Sequence, residues 1–99
     1  MNKLRIGLQN GFEQDTVLIR VNGVQAWKSR EVRTDLRIGL ADSVELPLAG
    51  GLTRLEFAIE NRALDAAIAL DFERSLYVGL SLEDGRPSIT VSERPFGYV

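Results

Sequence analysis

The chain has 99 residues, 44% of them apolar and 26% charged, with a net charge of −2. That length holds one hydrophobic core, and the composition is that of a soluble globular domain, not of a disordered, fibrous or membrane-embedded chain. Cysteine and histidine are both absent. Their absence removes disulfides, thiolate chemistry, the commonest zinc and copper ligands, and every Ser/His/Asp or Cys/His nucleophile arrangement.

The acidic balance also gives no general reason to expect nucleic acid or an anionic membrane as a partner, since both select basic surfaces. The N-terminal Met1-Asn2-Lys3-Leu4-Arg5 enters an alternating pattern, unlike a signal peptide, and no stretch approaches the roughly 18 consecutive apolar residues of a membrane span. A single domain over residues 1–99, located in the cytoplasm, is the expectation.

Along the chain, apolar residues recur at every second position, the period of a half-buried strand. Leu4, Ile6 and Leu8 come first, then Val17, Ile19 and Val21, with Leu18 and Arg20 on the opposite face. Asn22-Gly23 is a strong signal for a tight hairpin, from which Val24, Ala26 and Trp27 return. Leu36, Ile38 and Leu40 alternate, as do Val44, Leu46 and Leu48; Gly50-Gly51 then reads as a hairpin turn.

Leu55, Phe57 and Ile59, interleaved with Arg54, Glu56 and Glu60, form the clearest half-buried strand. Arg62 to Leu76 is ambiguous, because its alanines favour helix while Ala66, Ile68, Leu70 and Phe72 keep the strand period. Pairing requirements favour a strand over 66–73 with a helical turn near 62–65. Leu76, Val78, Leu80 and Leu82, a turn at Glu83-Asp84-Gly85-Arg86, and Ile89 with Val91 complete the pattern.

The pentapeptide Leu-Arg-Ile-Gly-Leu occurs twice, at residues 4–8 and 36–40, and the similarity extends to Glu13 and Glu45. Its spacing does not fit a solenoid and the segments between the copies do not align, so it reads as one strand solution reached twice. Glycine inside a strand is often covered by an aromatic ring, and Trp27 and Tyr77 are the candidates.

The most unusual local composition is Val24 to Arg37. Lys28, Arg30, Arg33 and Arg37 against Glu31 and Asp35 give +2, leaving −4 for the rest of the chain. Arginine offers a planar fork for carboxylate or phosphate, and Trp27 an apolar face for a sugar or a partner side chain. A second reading puts Trp27 in the core and the arginines in ion pairs on a solvated face. At the C-terminus, Phe96 and Tyr98 either dock on a neighbour or cover the chain's own core.

Glu13 with Asp15 and Glu83 with Asp84 read as turn carboxylates, because neither has the ligand spacing of a calcium loop. No phosphate-binding glycine motif occurs. No metal or cofactor is expected, and no catalytic residues are assigned.

Strands at intervals of about 8–12 residues, separated by Gly, Asn and Asp, point to an all-β, antiparallel sandwich of seven or eight strands. In architecture the pattern resembles immunoglobulin-like or transthyretin-like domains, though it lacks the Cys…Trp…Cys spacing of true immunoglobulin domains. The function expected is a non-catalytic binding or assembly module that contacts a protein partner or a second copy of itself. The alternative is a domain that binds a small anion or a carbohydrate through Trp27, Lys28, Arg30, Arg33 and Arg37.

Overall fold

The computed structural model describes residues 2–48, 51–71 and 76–97. Eight strands follow in order: β1 Asn2–Leu8, β2 Asp15–Val21, β3 Val24–Val32, β4 Asp42–Leu48, β5 Leu52–Ile59, β6 Leu64–Asp71, β7 Leu76–Glu83 and β8 Arg86–Ser92. One 3-10 turn, Glu60–Arg62, joins β5 to β6. Among the described residues no helix is long and apolar enough to cross a membrane.

The strands form two four-stranded sheets, β4-β1-β7-β8 and β3-β2-β5-β6, stacked as a sandwich. The alternation read from the sequence explains the stacking, because every second residue of the inner strands faces the opposing sheet. Leu4, Ile6 and Leu8 of β1 and Val78, Leu80 and Leu82 of β7 meet Val17 and Ile19 of β2 and Leu55, Phe57 and Ile59 of β5 in one buried cluster.

Turn chemistry sets the hairpins. Asn22 and Gly23 both have positive φ, 51° and 81°, and so do Asp84 and Gly85, at 52° and 74°. That combination gives the two-residue turn whose twist matches the strands. Asn22 is fastened further: its side-chain oxygen accepts the Arg54 N–H at 2.9 Å, and its own N–H donates to Arg54 O at 2.9 Å.

Several expectations need correction. The all-β sandwich is as expected and β3-β2-β5-β6 is antiparallel throughout, but β4-β1-β7-β8 is mixed, since β1 pairs with β7 in parallel register from Leu4↔Leu76 to Leu8↔Leu80. The second pentapeptide copy is not a strand: 36–39 are turn residues closed by an isolated bridge between Asp35 and Leu40. The helical turn falls at Glu60–Arg62, ahead of 62–65, because Ala63 takes a left-handed conformation and ends it. β6 then begins at Leu64, and Phe72 and Glu73 of the expected strand lie outside the described residues, as does Gly50 of the expected hairpin turn.

Candidate binding surface

One end of the sandwich is built by the β1–β2 connection, residues 9–14, and the β3–β4 connection, residues 33–41. The two are stitched together by buried Thr34, whose hydroxyl donates to Gln9 O at 2.6 Å and accepts the Phe12 N–H at 3.1 Å. The Thr34 N–H donates to Phe12 O at 2.9 Å. Phe12 fills the end of the core, and at Gly11, with φ of 90°, a side chain would run into Leu82 O. Only glycine lets the backbone approach β7 there.

Asp15 anchors the same connection from the other side. Its side chain is buried, yet it holds a two-pronged ion pair with Arg62, with Nε and one terminal nitrogen each at 2.8 Å. Asn61 Nδ2 donates to it at 2.7 Å and the Glu13 N–H at 2.9 Å, while Arg62 also donates to Gly11 O at 3.0 Å. Burial pushes the Asp15 carboxyl up, but the Arg62 hydrogen bond, the Glu13 N–H, Asn61 and the Arg62 charge outweigh burial and hold it below the usual carboxylate range. A carboxylate occupied by donors in this way fixes the loop. Among the described residues no group of three acidic, histidine or cysteine side chains is placed to hold a metal ion.

On this fixed base, residues 36–39 project outward. Asp35 holds them: its carboxylate accepts the Arg37 N–H at 3.0 Å and the Arg37 guanidinium at 3.1 and 2.9 Å, and its carbonyl accepts the N–H groups of Ile38 and Gly39 at 3.2 and 2.8 Å. The Arg37 hydrogen bonds lower the Asp35 carboxyl, and Asp35 in turn raises Arg37. Gly39, with φ of 72°, makes the reversal possible. The consequence is that Leu36 stands 91% exposed and Ile38 39% exposed. Leu36 forms the rim of an open cleft of about 510 Å³ whose other walls are Phe12, Glu13, Gln14, Arg33 and Thr34.

The residues singled out in the sequence are distributed over several faces. Arg33 lines the cleft, and no carboxylate among the described residues lies within ion-pair distance of it. Arg37 belongs to the projecting turn, folded onto Asp35. Lys28 sits on the outer face of β3 and reaches across β2 to Glu60 at 3.0 Å, while Arg30 is exposed on the same strand. Trp27 is half-buried and packs against the core, opposite Ile19.

Phe96 is half-buried on the outer face of the other sheet, where with Pro95 it borders a cleft of about 120 Å³ between Arg5, Gly7, Ser43 and Tyr77. Tyr98 lies outside the described residues. Of the two aromatic rings expected over strand glycines, Tyr77 shares that cleft with Gly7, whereas Gly79 is covered by the Gln9 side chain and Trp27 lies in the opposite sheet.

Sequence reasoning takes Leu36 for a strand residue and Glu13 and Asp15 for turn carboxylates, and it singles out neither Phe12 nor the Asp15–Arg62 pair. The available signal was Asp35 followed by Gly39, a turn-closing acid and a residue tolerant of positive φ, and the strand period of the pentapeptide obscured it. No protein-family model matches the chain, and no curated protein or solved structure resembles it significantly.

Proposed function

We propose that the chain is a non-catalytic protein-binding module that contacts its partner through the end formed by residues 9–14 and 33–41. The observation that carries this reading is a leucine, Leu36, held 91% exposed on a turn whose base is fastened by Asp35. A large apolar side chain displayed on an ordered turn contributes little to its own fold, and its desolvation favours association. Beside it, Arg33 and Glu13 give the cleft one charge of each sign, which suits a polypeptide better than a simple anion. A sugar or anion site shared by Trp27 and the arginines has less support, because Trp27 packs inward while Lys28 and Arg37 are occupied by carboxylates.

A second copy of the chain is the first partner to test. Sedimentation equilibrium of the wild type, Leu36→Ser and Arg33→Glu distinguishes the outcomes. The reading expects self-association that both substitutions weaken at least tenfold with no change in the circular dichroism spectrum. Association insensitive to both would remove this end of the molecule as the contact. A monomeric wild type would remove the second copy as partner.

A further inference from the structure

The sandwich has four edge strands, and three of them carry features that discourage addition of another strand. β3 is irregular at two points of its pairing with β2, has Glu31 at a positive φ of 61°, and bears Lys28 and Arg30. β4 contains Pro47 and β8 contains Pro87. Bulges, edge lysines and prolines are the usual means by which native sheets block edge-to-edge pairing. β6 has none of these. It runs Leu-Asp-Ala-Ala-Ile-Ala-Leu-Asp, and it pairs with β5 without a break from Ile59↔Leu64 to Leu52↔Asp71. Every second residue of such a strand directs its N–H and C=O away from its one neighbour.

Side chains on β6 define what would fit. Leu64, Ala66, Ile68 and Leu70 on the inner face are half-buried, so the apolar layer is only partly covered at this edge, where β8 of the other sheet comes alongside. Asp65, Ala67, Ala69 and Asp71 on the outer face are exposed, and neither aspartate takes part in an ion pair among the described residues. A strand alternating apolar and basic residues would extend the core with one face and neutralise the aspartates with the other. A second copy pairing β6 on β6 antiparallel, centred on Ile68 with both apolar faces on the same side, would set Asp65 opposite Asp71 twice, and like charges directly opposed are unfavourable.

We infer that β6 is a docking edge for an extended basic and apolar segment of another polypeptide, which joins β3-β2-β5-β6 as a fifth strand. Main-chain hydrogen bonds then give the affinity and the alternating side chains the specificity. This surface is separate from the Leu36 turn, so either proposal can fail alone.

The test titrates the isotope-labelled chain with three octapeptides: alternating lysine and valine, alternating glutamate and valine, and all lysine. The lysine–valine peptide is expected to shift the amide signals of Leu64–Asp71 and to slow exchange of alternate amides there. Affinity should fall about fivefold or more for the glutamate–valine peptide and for the double variant Asp65→Lys with Asp71→Lys, which alters exposed positions only. Shifts absent from β6, or equal shifts with the all-lysine peptide, would overturn the inference. So would self-pairing of β6 on concentration without peptide, which would assign the edge to a second copy.

Discussion

Residues 4–8 and 36–40 have the same five amino acids and opposite fates. In the first copy Leu4, Ile6 and Leu8 are fully buried in β1, which lies between β4 and β7. In the second, Leu36 and Ile38 face solvent and only Leu40 returns to pair with Asp35. The pentapeptide accommodates both because its period of two suits a strand while its glycine accepts the left-handed conformation that Gly39 adopts. What separates the copies is their flanks. Asp35 supplies a carboxylate and a carbonyl that close a turn on themselves, whereas β1 finds a neighbouring strand on each side. Local sequence offered two conformations, and tertiary pairing selected between them.

That contrast can be broken by substitution. Ile6→Ala is expected to cost about 2–5 kcal/mol, the usual range for truncating a fully buried isoleucine, read from the urea midpoint. Ile38→Ala, the same change at the same position of the second copy, should stay within about 0.5 kcal/mol. Equal losses would mean that both copies are core.

Next in size is Asp15→Asn, which removes one partner of a buried pair beneath the projecting turn and is expected to cost about 3 kcal/mol. The pH dependence has a defined sign. A carboxyl held lower in the folded chain than in the unfolded one contributes its stabilisation above the unfolded value, about 3.9, and loses it as pH falls through the folded value. Thermal unfolding of the wild type should therefore weaken below about pH 4, and the gap to Asp15→Asn should close there. A gap that persists at low pH would contradict the ionised pair. Smallest of all is Leu36→Ser, expected to leave the unfolding midpoint unchanged while weakening association.

Much of the fold was legible because the alternation in residues 4–8, 17–21, 55–59 and 76–82 reflects burial against a single opposing layer. Asn22-Gly23 and Asp84-Gly85 were legible because few dipeptides accept two positive φ values in succession. The parallel pairing of β1 with β7 was not legible, since no local residue encodes which distant strand lies alongside. The candidate surface was only partly readable. Arg33 and Arg37 were picked out by charge, but the exposure of Leu36 depends on Asp35 closing the turn, and Trp27 turns inward through its register with Ile19. The Asp15–Arg62 pair spans 47 positions of sequence and leaves no local trace.

The most direct test of the account is residue-resolved amide hydrogen exchange across both copies of the pentapeptide in one sample. Amides of Arg5 to Leu8 in β1 should exchange near the rate set by global unfolding, while those of Leu36 and Arg37 should exchange orders of magnitude faster, without cross-strand contacts. Equally slow exchange in the two copies, with cross-strand contacts along 36–40, would make the second copy a strand and withdraw Leu36 from the surface.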